Sequence, residues 1–119
     1  MEGKKFVWVT FQRKGYHCYP DAPADVAYLQ ARHRHLFKFR VKIEVLGTNR
    51  EIEFHQFQNR IEGWYDQGAL QLSYKSCEMI ADDLYHRIRV EYHSPAHSRE
   101  LCIEVSEDGE CGSECHYVI

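Results

Sequence analysis

The chain has 119 residues and a formal charge of −3, with 15 Lys and Arg against 18 Asp and Glu. That length makes one domain with room for a real core and none for a second. The acidic balance argues against a general nucleic-acid or membrane-surface binder, because both need an excess of Lys and Arg to meet phosphate. The opening "MEGKKFVWVTF" runs from charge into a short apolar strand without a signal-peptide core, and no stretch is apolar for long enough to span a bilayer. We therefore expect a soluble cytoplasmic protein. Five cysteines, Cys18, Cys77, Cys102, Cys111 and Cys115, are an odd number at irregular spacing, which suits a reducing compartment and small hydrophobic roles. Eight histidines are a surplus that needs explaining.

In chain order, "KKFVWVTFQR" alternates as a first strand, with Val7, Val9 and Phe11 on one side and Phe6 and Trp8 on the other. "GYHCYPDAPADVAY" carries Gly15, Pro20 and Pro23 and reads as a long loop. In "ARHRHLFKFRVKIEV", Phe37, Phe39, Val41, Ile43 and Val45 are apolar while Lys38, Arg40, Lys42 and Glu44 fill the even places, so period two predicts a half-buried strand. Gly47 and Asn49 supply turn chemistry, and "EIEF" is expected to return as a short partner strand. Phe54, Phe57, Ile61, Trp64 and Tyr65 then make one helical stripe that Gly68 should end. "SCEMIADDLYHRI" predicts a second helix with Ser76 as N-cap and Glu78 in its first turn. Leu101, Ile103 and Val105 alternate as a late strand, and "CHYVI" closes the chain as another. Hairpin-joined strands beside two consecutive helices predict an α+β fold, an antiparallel sheet with helices on one face.

Extending the register of the second strand backwards puts His35 and His33 on its apolar side. An H-x-H pair on one strand face suits one borderline-soft cation such as zinc; the plainer alternative is two partly buried histidines bonded to neighbours. His17 lies where the long loop departs and His33 where it returns, so pairing of the first two strands would bring a third imidazole in. Three histidines with an open fourth position make a reactive or ligand-presenting metal site. Parity also puts Glu107 on the apolar side, unless a kink at Ser106 turns it to solvent. An inward carboxylate there could accept two N–H donors from the amidine-like edge of a pterin or guanine ring. A competing Cys2His2 arrangement is available from Cys111 and Cys115 with His93, His97 or His116. Phosphate-binding glycine loops and dinucleotide fingerprints are absent.

The segments "GYH", "HRHLFKFRVKIEVLG", "REIEFHQF", "SCEMIADDL" and "CIEVSEDGECGSECHY" resemble, in the same order, the 6-pyruvoyl-tetrahydropterin synthase and 6-carboxy-tetrahydropterin synthase family. That family has a histidine after the first strand, H-G-H-x-Y opening the second, T-x-E opening the second helix and a glutamate in a late strand. The resemblance covers nearly the whole chain. It implies His17, His33 and His35 as zinc ligands, Glu107 as anchor of the heterocycle, and contacts from Ser76 and Cys77. It also implies the tunnelling fold: four antiparallel strands and two helices per subunit, three subunits closing a barrel and two trimers stacking, hence a homo-oligomer. The activity implied is that of a zinc-dependent carbon–oxygen lyase acting on a pterin- or purine-like small molecule.

The chain departs from that pattern at the proton-moving groups. The family's cysteine base, four residues before the first H-G-H histidine, is replaced by Leu29, and the Asp-His pair between the helices leaves only Asp66. Arg34 stands in place of the central glycine. Cys18 follows His17 directly, so period two turns it away from that imidazole unless the chain twists. Cys18 and Asp66 remain as candidate bases. The alternative to an enzyme is a catalytically inactive module of the same fold that binds or sequesters a purine- or pterin-containing ligand.

Overall fold

The computed structural model describes residues 3–119. Its elements are β1 (Lys5–His17), a 3-10 helix (Ala24–Leu29), β2 (His33–Val45), α1 (Phe54–Gly63), β3 (Leu70–Gln71), α2 (Cys77–Tyr92), β4 (Glu100–Glu107) and β5 (Cys111–Val118). The sheet order is β3-β1-β2-β4-β5. β1 and β2, thirteen residues each, pair along their whole length from Lys5↔Val45 to His17↔His33. Their apolar parities coincide, so Val9, Phe11, Phe37, Phe39, Val41 and Ile43 are buried on one face with Ile103 and Val105 of β4. Phe11 and Phe39, directly opposite, stack at 4.5 Å between ring centroids. Against this face pack Phe57 and Ile61 of α1 and Ile80, Ala81, Leu84 and Ile88 of α2. The other face keeps Trp8, Lys38 and Glu114 exposed.

The fold is α+β, as the pattern predicts, but the sheet is not the expected four-stranded antiparallel one. β3 adds a fifth strand, parallel to β1 through Gly15↔Leu70 and Tyr16↔Gln71, so the sheet is mixed and, within the chain, open. "EIEF" does not return as a strand. Its alternating side chains have other work: Glu53 caps α1 by accepting from the Gln56 N–H at 2.7 Å, Ile52 is buried, and Glu51 pairs with Arg99. α1 stops at Gly63 rather than Gly68, after which the Trp64 and Tyr65 N–H groups bond three residues back. Phe54, expected on the buried stripe, is exposed. Ser76 caps α2 as predicted, accepting from the Met79 N–H at 3.2 Å. The closing strand is longer than "CHYVI", beginning at Cys111. Among the described residues no helix is long and apolar enough to cross a membrane.

Candidate metal centre

The β1–β2 register determines where the imidazoles meet. His17 is the last residue of β1 and sits directly across from His33, the first of β2, while Gly15 faces His35. All three histidines are on the core parity, and the glycine opposite His35 leaves room for the Phe37 ring beneath them: a Cβ at Gly15 would come within 2.8 Å of that ring. The three rings meet edge to face, with centroids 4.6, 5.2 and 4.8 Å apart, over a floor made by Phe37.

Each ring is oriented by its Nδ1. That of His17 lies 2.9 Å from the Lys75 carbonyl and that of His33 lies 2.9 Å from the Ala31 carbonyl. His35 Nδ1 is 2.8 Å from Asp108 Oδ2. Carbonyls and carboxylates only accept, so the three Nδ1 atoms carry the protons and a neutral ring presents its lone pair at Nε2. The Asp108 carboxyl is held below the usual carboxylate range, first by the Leu36 N–H that it accepts and then by His35, which keeps it an acceptor. All three Nε2 atoms are buried without a hydrogen-bond partner, and one ligand nitrogen from each ring lies within 4.8 Å of the others.

Glu107 completes the cluster. The β2–β4 ladder runs through Phe37↔Glu107 with no kink at Ser106, so the carboxylate faces inward. Its Oε2 lies 3.2 Å from His17 Nε2 and its Oε1 lies 3.4 Å from His35 Nε2, neither with hydrogen-bond geometry. Lone pairs facing a carboxylate at that range repel unless a positive charge lies among them. A cation in the imidazole cluster supplies it, and imidazole and carboxylate donors are those of a borderline-soft divalent ion. The residues therefore fit a metal.

Beside the cluster opens a cavity of about 530 Å³, lined by His17, His33 and Glu107 together with Cys18, Ser76 and Cys77. No family model matches the chain, and no curated protein does. Cys18 is on the cavity wall because β1 has ended: its N–H donates to the Ser73 carbonyl at 2.8 Å instead of continuing the β1–β2 ladder. Leu29 lines the same cavity, and its carbonyl accepts from the Tyr19 N–H, next along from Cys18. Burial, then the Glu107 and Glu78 charges, pushes the Cys77 thiol up to about 12, so it is a protonated wall group near neutral pH. Asp66 is exposed and lies off the cavity wall. Among the described residues the Cys2His2 arrangement does not assemble: Cys115 and His116 are adjacent on a strand and face opposite ways, and neither Cys111 nor His93 nor His97 belongs to a metal-ligating cluster. All five cysteines are free thiols. The orienting groups, Asp108 and the Lys75 and Ala31 carbonyls, escaped the sequence reading. Only Asp108 left a trace there, as a second carboxyl in the "SEDGE" turn.

Proposed function

We propose that the chain is a zinc-dependent protein of the 6-pyruvoyl- and 6-carboxy-tetrahydropterin synthase type, acting on a pterin- or purine-like small molecule. The proposal rests on one observation: three buried, unpartnered Nε2 atoms converge while every Nδ1 is fixed by an acceptor. His17, His33 and His35 would hold the ion, which when bound supplies a Lewis acid to a substrate oxygen. The protein's own groups do the rest. Tyr19, Tyr74 and the Cys18 and Cys77 thiols give the cavity its apolar walls, and Ser76 and Cys77 border it at the start of α2. Glu107, at the seam between cluster and cavity, is the acceptor for the N–H edge of a flat heterocycle once its carboxylate swings from the imidazoles. Cys18 is the thiol best placed to move a proton, and Asp66 has no part. Three protomers would close the open sheet into a barrel, and two such rings would stack.

The second reading, a binding module without turnover, is favoured by one feature: Leu29 gives the cavity an inert wall at the position of the family's base. Metal analysis and turnover separate the cases. Purified protein should carry tightly bound zinc, and His17→Ala should lose one equivalent per chain with the circular dichroism unchanged. Retention of that equivalent would rule out the metal centre. Incubation with dihydroneopterin triphosphate then reads the chemistry: a ligand that stays bound and intact, with no product by mass spectrometry, rejects the enzyme in favour of the module.

A further inference from the structure

The face of the sheet that the helices leave bare carries a second set of donor atoms. β4 and β5 pair Cys102 with His116 and Glu104 with Glu114, so by period two Cys102, His116 and Glu114 project together, away from the core. One ligand atom of each lies within 4.8 Å of the other two. Cys102 is 6 % exposed and forms the base of the group; Glu114 and His116 stand in solvent beside it, with His116 Nε2 2.6 Å from Glu114 Oε2. The histidine cluster belongs to the opposite face, where Glu107 of the same β4 strand points.

We propose that Cys102, Glu114 and His116 form a second metal site, one for a borderline-soft divalent ion such as zinc or cobalt. Thiolate, imidazole and carboxylate are the donors such ions take, at roughly 2.0–2.3 Å, and three protein ligands leave a fourth place for water or a small ligand. The ladder supplies rigidity, since two of the three ligands are a directly opposed cross-strand pair. The charges around Cys102 balance only when the Glu114 ligand is counted. Glu104 on β4 adds negative potential, and Arg40 and Lys42 on β2 add positive. Both cations are otherwise engaged, however: Arg40 with Glu104 at 3.2 Å and Lys42 over the Phe6 ring at 4.9 Å. Burial, then the Glu114 charge, raises the Cys102 thiol above the ordinary cysteine range, against the pull of Lys42 and Arg40. Occupation therefore breaks an S–H bond, forms a sulfur–metal bond and releases the proton to solvent, with no change of oxidation state.

Titration of the metal-free full chain with Co²⁺ tests both centres at once. A thiolate ligand adds an intense near-ultraviolet charge-transfer band that a site built from imidazoles alone does not have. The wild type should take up two equivalents, with the band following one of them. Cys102→Ala should lose the band and that equivalent. The exposed pair Glu114→Gln with His116→Asn, which does not threaten the fold, should weaken the same equivalent about tenfold or more. His17→Ala should remove the other equivalent and leave the band. A titration without the band, a band that persists in Cys102→Ala, or unchanged affinity in the double variant overturns the proposal. If the band accounts for the only equivalent bound, the Cys102 site stands and the histidine centre falls.

Discussion

Asp108 shows how much of a site can hang on a residue that never meets the ligand. Its Oδ1 accepts from the Leu36 N–H at 2.9 Å and its Oδ2 holds His35 Nδ1, while its own N–H donates to the Leu36 carbonyl at 2.8 Å. It sits at φ 60°, beside Gly109 at φ 72°, and that left-handed turn is what swings the carboxylate back over β2. Asp108→Asn keeps an acceptor for the Leu36 N–H but turns its amide NH2, a donor, toward the His35 N–H, which is left without an acceptor. If the centre holds a metal as proposed, its affinity should fall about 10–100-fold with the apo fold unchanged, as read by competition against a chromophoric chelator. The difference between Glu107 and Asp108 also marks what a sequence discloses. His33, His35 and Glu107 were legible because strand parity assigns each residue a face, and His17 because pairing of the first two strands brings the loop ends together. Asp108 acts through a backbone turn whose dihedral angles no periodicity reports, and the Lys75 and Ala31 carbonyls depend on how loops pack.

Among the elements, the stretch between β2 and α1 is the instructive failure. "EIEF" has strand periodicity, yet Arg99 is buried just before β4 and needs a counter-charge. Glu51 provides it through two bonds of 2.9 and 2.7 Å, while Arg99 also donates to the Glu44 carbonyl at 2.8 Å. Pairing one buried guanidinium through its two terminal nitrogens, with Nε left unpartnered, outweighs a two- or three-residue ladder. β3 was missed for the complementary reason, since two residues contain no period to read. α2 was legible because its cap and its stripe agree. Glu51→Ala should destabilise the fold by about 3 kcal/mol, the lower end for breaking a buried pair, because the carboxylate is itself partly exposed. The pH dependence has a definite sign. Arg99, followed by the Leu46 N–H, holds the Glu51 carboxyl below its ordinary value against the effect of burial. Its stabilisation is thus fully present above the unfolded value of about 4.3 and lost as pH falls through the lower folded one. In urea titrations Glu51→Gln should be less stable than wild type at pH 7, and the gap should close below about pH 4.

At the scale of the molecule, the chain is long for its size. Its radius of gyration is 15.9 Å and its extents are 52 × 28 × 24 Å, against about 13.5 Å expected for a compact domain of this length. The β1–β2 ribbon sets the long axis, and the sheet face opposite the helices keeps Trp8 exposed. Layer order and helix face were readable in the sequence, but nothing in a single chain's pattern says how many copies meet. On the proposed barrel, light scattering on the eluting protein should give three or six times the 14.2 kDa chain mass; a particle of one chain mass at micromolar concentration would remove that proposal. The sheet's two margins are unequal. β3 shields β1 only at Gly15 and Tyr16, and β5 ends the other side with eight residues. Two β5 edges that meet antiparallel about a two-fold axis stop at a dimer, whereas joining β5 to the β1–β3 margin runs on head to tail, and a barrel needs the second joint. Whether the protein is a finite particle or a growing fibre then depends on a single angle, the turn from one copy to the next, and substitutions that alter sheet twist would be felt first as insolubility.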